Sequence, residues 1–183
     1  MHILCSPFSL GPCETLIKFT GTITISENTY YRLLKDVIES ITAHSFLNIC
    51  FINGHGGNTS TLEKIVNLSQ KHNPKLRILF LNWFDLPYAE TLKKNDHTYQ
   101  GEHGDRLETE MMLLARPKSV FMDEVIDDLP VWPDDTDELD DYSQIMKYSV
   151  DGSPSFSSIT TAKVHVQKIT HYLVEAINSY YES

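Results

Sequence analysis

Basic residues are scarce in this sequence, and the shortage restricts the partners that it can bind. Lysine and arginine number 15 against 25 aspartate and glutamate residues, which gives a formal net charge of −10 over 183 residues. A nucleic-acid or anionic-membrane surface needs clustered lysine and arginine, so we expect neither partner. No apolar run approaches the roughly 20 residues that span a bilayer. Residues 1–183, of which 41% are hydrophobic, are therefore predicted to form a single globular domain.

Cysteine is also rare, with only Cys5, Cys13 and Cys50 present. Their odd number and wide separation, with no Cys-x-x-Cys spacing, favour buried, reduced thiols in a cytoplasmic protein. Residues 1–5 lack the charged and long apolar regions of a secretory signal, so we expect no signal peptide.

Two signatures of ligand-binding loops are missing. Neither GxGxxG nor GxxxxGK[ST] occurs, which disfavours a nucleotide-binding module. The acidic stretch over residues 127–141 lacks the Asp-x-Asp-x-Asp-Gly spacing of a calcium loop. We interpret this stretch as solvated surface, because that is where carboxylate runs usually lie.

The stretch with the clearest chemical content is Asn53-Gly54-His55-Gly56-Gly57-Asn58. An apolar, β-prone segment precedes it over residues 46–50, and Ser60-Thr61-Leu62-Glu63 follows with a capping-box pattern that opens a helix. His55 is thus predicted at a strand-to-helix junction, the edge where open α/β folds bind ligands. The alternative is a tight turn in which His55 only hydrogen-bonds the loop.

Apolar periodicity predicts the other elements. The run over residues 76–81 predicts a second strand, and strand, helix, strand in that order predicts a parallel βαβ crossover and an α/β fold. Ser26 is predicted to cap one helix, a second is predicted to begin near Asp105, and the last covers about 159–180. Residues 2–6 have the composition of a short strand, and residues 7–25 are expected to be mostly irregular, with a β-like run over 22–25. Residues 87–100 form a polar segment that contains tyrosine.

A second chemical cluster lies in Gln100-Gly101-Glu102-His103-Gly104-Asp105-Arg106-Leu107-Glu108-Thr109-Glu110. A histidine among carboxylates at a loop-to-helix junction suits metal binding or proton transfer. The alternative for Asp105 and Glu108 is an ordinary interaction of acidic side chains with the first turn of a helix.

These two motifs together carry a resemblance to a known family. Asn53-Gly54-His55-Gly56-Gly57-Asn58, with His103-x4-Glu108-Thr109, resembles the creatininase (creatinine amidohydrolase) family. Three further stretches are similar to that family in the same order along the chain. They are Ser9-Leu10-Gly11 with Phe19-Thr20-Gly21-Thr22, then Leu81-Asn82-Trp83-Phe84, and last Gly152-Ser153-Pro154.

The resemblance implies a three-layer α/β/α fold with a mainly parallel sheet, and a metal-dependent hydrolase that acts on a non-peptide or cyclic amide C–N bond. The implied cofactor is a divalent metal (Zn, Mn or Fe), the implied substrate is a small-molecule amide, and the implied assembly is a homo-oligomer. By the same resemblance His55 matches a metal ligand, and Glu108 matches a ligand or a group that supports one. His103 matches the catalytic acid and base, with Glu102 beside it. The residues expected to bind substrate are Gly56, Gly57, Asn58 and Trp83.

The sequence departs from the family in its first 50 residues. Family members carry a Glu-x-His-Gly-Pro-His segment that supplies most of the metal ligands, and residues 1–50 contain no Glu-x-His-Gly pattern. The domain is therefore expected to be N-terminally incomplete relative to the family. His55 and Glu108 are too few ligands for a two-metal centre. Either another segment completes the site, or the chain is a catalytically inactive binding or assembly subunit.

Overall fold

The computed structural model describes residues 8–133 and 139–182, so the strand predicted over residues 2–6 lies outside the described chain. The helices, named in chain order, are α1 (Glu27–Ala43), α2 (Thr59–His72), α3 (Pro87–Asn95), α4 (Arg106–Ala115) and α5 (Ile159–Glu182). The strands are β1 (Asn48–Asn53), β2 (Arg77–Asn82), β3 (Gly101–His103) and β4 (Asp151–Gly152).

The predicted parallel βαβ crossover is confirmed. Strands β1 and β2 pair in parallel, with Asn48 opposite Arg77 at one end and Asn53 opposite Asn82 at the other. Helix α2 connects the two strands, as a parallel pair requires. Both strands therefore end at the same edge of the sheet, and the loop at residues 53–58 leaves from that edge.

One face of this parallel pair packs against α1 and α2. Helix α1 begins where Ser26 caps it as predicted, its Oγ accepting a hydrogen bond from the Thr29 amide at 3.3 Å. Tyr30, Leu34 and Ile38 follow at four-residue spacing and are 5%, 0% and 3% exposed, so they form one apolar stripe. The other buried members of this core are Ile49, Leu62, Ile65, Val66, Leu76 and Ile78.

The C-terminal end of α5 is tied to the same strands. The Tyr181 hydroxyl donates to the Ile49 carbonyl at 2.5 Å, and the Tyr180 hydroxyl donates to the Ile78 carbonyl at 3.2 Å. The Arg77 guanidinium donates to the main-chain carbonyls of Tyr180 and Tyr181. A cation at the end of a helix also complements the helix dipole. This contact covers the start of the strands, whereas Ile52 near the end of β1 is 57% exposed.

A second, antiparallel pair consists of β3 and β4. Gly101 lies opposite Gly152, and His103 lies opposite Asp151. Strand β4 also bridges Asp128 on its other side. The predicted helix start near Asp105 is confirmed, because Asp105 accepts a hydrogen bond from the Glu108 amide at 2.8 Å as the N-cap of α4.

A buried carboxylate, Glu110, joins α4 to α5. It is 0% exposed and accepts from Arg106 Nε at 3.1 Å, and its Oε2 lies 3.4 Å from His165 Nε2. Thr161 Oγ1 donates to it at 2.5 Å and the Tyr99 hydroxyl at 3.4 Å. Burial lowers the pKa of His165, whereas the nearby Glu110 raises it. Because buried charges need partners, this network fixes the packing of the two helices.

The structure differs from the sequence pattern at three places. Helix α3 occupies part of the polar segment over residues 87–100, where no helix was predicted; its one buried residue is Ala89, which leaves no periodic apolar pattern to detect. Residues 22–25 form no strand, since Thr24 Oγ1 accepts from the Cys13 amide and the Ile25 amide donates to Gly11 instead of to a ladder. Helix α2 begins at Thr59, one residue before the predicted cap, because a 3-10 turn over Gly56–Asn58 leads directly into it.

Cys13 and Cys50 are free thiols, and burial raises the pKa of Cys50 to about 11. Part of the acidic stretch, residues 134–138, lies outside the described chain. None of the helices in the described part combines the length and the apolar character that crossing a membrane would demand.

Candidate active site

The side chain of Asn53 organises the loop that carries His55. It is 4% exposed, and its Nδ2 donates to the His55 carbonyl and to Asn82 Oδ1, both at 2.8 Å. Its Oδ1 accepts from the His55 amide at 3.3 Å and from Asn58 Nδ2 at 3.0 Å. A buried amide with its groups satisfied in this way holds a loop in one conformation. The loop is therefore fixed to the ends of both parallel strands.

The His55 imidazole is oriented by a carbonyl from a distant part of the chain. Its Nε2 lies 2.8 Å from the Pro12 oxygen. A carbonyl only accepts, so Nε2 carries the proton and Nδ1 keeps its lone pair. Histidines that bind metals are commonly held in this way, by a carbonyl on the other ring nitrogen. The His55 ring therefore bonds a residue outside its own loop. In the alternative considered from the sequence, it would hydrogen-bond only the loop.

Gly57 is required by this arrangement. A Cβ at this position would lie 2.5 Å from the Pro12 oxygen and 2.7 Å from His55 Nε2. By contrast, a Cβ at Gly56 would meet no atom within 4 Å. Asn58 Oδ1 is buried and accepts no hydrogen bond within the described ranges. Trp83 follows β2, and its Nε1 would lie 3.9 Å from a Cβ at Gly54, so its indole borders the loop.

His103 lies at the end of β3 against two aromatic rings. Its ring centroid is 6.2 Å from that of Trp132 and 5.7 Å from that of Tyr142. Burial lowers the pKa of His103, while Asp151 and Glu102 raise it in opposition. A protonated His55 would lower that pKa further. The neutral imidazole is favoured, the form that can accept a proton.

Glu108 lies in the first turn of α4. Its Oε2 accepts a hydrogen bond from the Gly104 amide at 2.8 Å. Burial raises the pKa of Glu108, whereas Lys93 lowers it. Burial also raises the pKa of Asp105, to about 7, and the charge of Glu108 adds to that rise. The N-cap bond of Asp105 fits the first-turn interpretation of that residue, and Glu108 makes a local hydrogen bond in the same turn.

Glu102 is an exposed member of the predicted site. Its side chain is 74% exposed, and its Oε1 lies 3.9 Å from Lys93 Nζ. Sequence reasoning missed Lys93 together with Trp132, Tyr142 and Asp151. Lys93 is signalled only by its position in the last turn of a helix that was itself missed. The other three become neighbours of His103 through long-range pairing, which no local spacing predicts.

A surface groove runs beside Glu108. Two adjoining cavities of about 310 and 420 Å³ share Gly104, Thr109, Glu124 and Val125, and Glu108 lines the larger one. Neither His55 nor His103 lines either cavity.

Comparison with known proteins decides the family. The creatininase (creatinine amidohydrolase) family profile matches residues 2–177, almost the whole chain. This protein belongs to the creatininase family. The resemblance seen in the sequence motifs is thereby confirmed, and family membership supports an amidohydrolase-type function. The comparison with curated proteins gave no match.

Solved structures show the same fold. A putative creatinine amidohydrolase from Bacteroides fragilis is 16% identical with a TM-score of 0.74, over 93% of this chain and 69% of that one. A creatinine amidohydrolase (creatininase) is 20% identical with a TM-score of 0.76, over 88% and 67%. A mutant creatininase complexed with creatine is 19% identical with a TM-score of 0.77, over 92% and 72%. The predicted creatininase-like α/β fold is confirmed, and β1 and β2 are its parallel strands in the described chain.

The described residues do not fit a two-metal centre. Other creatininase structures with this fold are a manganese form and a Zn-Zn form. Within residues 8–133 and 139–182, no three His, Cys, Asp or Glu side chains are grouped so that they could hold a metal ion. A zinc hydrolase uses three protein ligands, and a two-metal site uses more. His55 and Glu108 remain the candidate ligands, and His2, which lies outside the described chain, does not enter this test.

Proposed function

We propose that this protein is a creatininase-family amidohydrolase that cleaves a non-peptide or cyclic amide C–N bond in a small molecule. The observation that carries the proposal is the position of the motif histidine His103 at the end of β3, where burial lowers its pKa and favours the neutral imidazole. A neutral imidazole is the form that takes a proton from water and returns it to a leaving nitrogen.

Each motif residue has a role in this proposal. His103 moves the proton, and Glu102, which raises the pKa of His103 from the rim of the site, supports the protonated form. Gly56 and Gly57 offer main-chain N–H groups to the developing oxyanion. Asn58 and Trp83 border the substrate. His55 and Glu108 are the groups that would hold a divalent metal (Zn, Mn or Fe). Since the described residues do not complete that centre, we derive no step through it.

A second function is favoured by the incomplete ligand set. A creatininase-like chain that holds no metal would act as a catalytically inactive binding or assembly subunit. We propose a homo-oligomer as the assembly in which such a subunit would act. For either function we propose a cytoplasmic location, in keeping with the free thiols of Cys13 and Cys50.

One experiment separates the two functions. Purified protein is analysed for bound metal and then assayed with zinc or manganese against a panel of small cyclic and acyclic amides, creatinine included. The enzyme predicts turnover that His103→Ala abolishes with little loss of metal. His171→Ala is the matched control, because this exposed histidine of α5 belongs to neither motif. Absence of both metal and turnover favours the subunit, and turnover that survives His103→Ala contradicts the role of His103.

A further inference from the structure

The pairing of β3 with β4 brings a carboxylate to His103. Asp151 is directly opposite His103 in the antiparallel register. The register shifts between Gly101 and His103, so His103 and Asp151 are paired next to a bulge in β3. Asp151 is only 4% exposed, so water screens its interaction with the imidazole poorly.

The Asp151 carboxylate is held by an indole. Trp132 Nε1 donates to Asp151 Oδ2 at 2.8 Å. Burial raises the pKa of Asp151, and the Trp132 bond and the nearby His103 counter that rise by favouring the charged form. A hydrogen bond to one carboxylate oxygen fixes the direction of the other. Asp151 is thus tied to Trp132, whose ring centroid lies 6.2 Å from that of His103.

The same indole also packs against the imidazole. The Trp132 and Tyr142 rings meet edge to face with centroids 5.0 Å apart, and each lies within about 6 Å of the His103 ring. The segment that carries Trp132 is anchored to β4, where the Asp128 and Gly152 amides each donate to the other residue's carbonyl, at 3.0 and 2.6 Å. Trp132 therefore contacts the Asp151 carboxylate and the rings of His103 and Tyr142 at the same time.

Close packing leaves strand β4, which carries Asp151, little freedom to move. A Cβ on Gly152 would come within 2.6 Å of both Cα and Cβ of Asp105, and one on Gly101 would come within 2.0 Å of the Asp151 carbonyl oxygen. Strand β4 is therefore confined between β3 and the start of α4. The other charged or titratable groups that act on His103 are Glu102, His55 and Lys93. Asp151 is the only carboxylate among these groups that is buried.

We propose that Asp151, held by Trp132, is the positioning residue of His103: it stabilises the imidazolium that forms when His103 takes up a proton. The part of this role that concerns turnover rests on the proposed function. The electrostatic effect of Asp151 on His103 does not depend on any substrate.

NMR titration of the His103 ring in the full chain tests the proposal without an activity assay. Asp151→Asn preserves the shape and the Trp132 bond but removes the charge, so the pKa of His103 should fall by about one unit or more. Trp132→Phe keeps the charge and most of the ring but releases the carboxylate, so that pKa should fall by less and the ring signals should shift. Asp123→Asn, an exposed acid on a nearby segment, is the matched control and should leave the titration unchanged.

The outcomes separate this role from the proposed function. A titration of His103 that is the same in folded Asp151→Asn and Trp132→Phe as in the wild type overturns the proposal; if Asp151→Asn does not fold, Trp132→Phe alone decides. If an amide substrate is found, Asp151→Asn should lower kcat at least tenfold with KM nearly unchanged. If the wild type shows no turnover but Asp151→Asn still lowers the pKa of His103, the proposed hydrolase function is refuted and the positioning role of Asp151 is retained.

Discussion

Asn53 and Asn82 close the ends of the two parallel strands with a single side-chain hydrogen bond of 2.8 Å. They are partners in the strand register, and each faces the edge from which the His55 loop leaves. Asn82 in turn donates to Asp85 at 2.7 Å, so the loops after both strands belong to one polar network. The position of His55 is therefore set by the sheet as well as by its own loop.

Replacing Asn53 should loosen this network. Asn53→Ala removes both buried bonds to His55 and the bonds to Asn58 and Asn82, so we expect a loss of about 2–3 kcal/mol in the free energy of unfolding. Urea denaturation followed by circular dichroism measures the change. Asn48→Ala, at the exposed start of the same strand, should cost under about 0.5 kcal/mol. Equal losses for the two variants would contradict the central role of Asn53.

Gly57 and Gly56 form a matched pair for testing the contact between His55 and Pro12. Gly57→Ala would force a Cβ against the Pro12 oxygen and the imidazole. We expect it to break that contact and to destabilise the fold by about 1–3 kcal/mol. Gly56→Ala meets open space, so it should be nearly neutral. Thermal unfolding, with NMR of the His55 tautomer, distinguishes the two; a neutral Gly57→Ala would mean that the contact is dispensable.

The Glu110 network should be sensitive to the loss of its charge. Glu110→Gln leaves the Arg106 guanidinium, whose side chain is 12% exposed, without its buried partner. Breaking a buried pair on one side costs about 3–5 kcal/mol. The control Glu90→Gln removes an exposed partner of Lys94, where the cost should stay below about 1 kcal/mol. Chemical denaturation of the two variants compares them, and similar costs would show that the network contributes little.

Asp105 should make stability depend on pH. Burial raises its pKa to about 7 in the folded chain, whereas the ordinary value is 3.8. Between these values the folded state binds more protons than the unfolded state, so this residue makes stability fall as pH rises through the window. Asp105→Asn keeps a good N-cap and should flatten the dependence in urea unfolding at several pH values. Asp96→Asn is the contrasting control, because hydrogen bonds from Thr98 lower the pKa of Asp96; the same flattening in both variants would exclude Asp105 as the cause.

Local pattern was sufficient for the first half of the fold. The Ser26 cap, the apolar stripe of α1 and the two strands around α2 all follow from spacing along the chain, and so does the position of His55 at a strand end. Helix α3 escaped prediction because it buries a single alanine, so its stability comes from packing against Tyr99 and Leu107 and not from its own apolar face.

The candidate site was only partly predictable for a different reason. His55 and His103 stand in recognisable motifs, but Pro12, Lys93, Trp132 and Asp151 reach them through tertiary contacts. Pro12 lies 43 residues from His55 along the chain, and Trp132 lies 19 residues from Asp151. No periodicity encodes such pairs. They depend on strand register and on the packing of connecting segments, which become visible only once the chain is folded.

The contacts of Arg77 with the end of α5 make the last turn of that helix important for a distant part of the molecule. Removing residues 180–182 would take away the two carbonyls that accept hydrogen bonds from Arg77. It would also remove the two tyrosine hydroxyls that donate to the carbonyls of Ile49 and Ile78, which lie more than 100 positions earlier in the chain. A deletion or substitution that disturbs the last turn of α5 should therefore lower the solubility and yield of the whole protein.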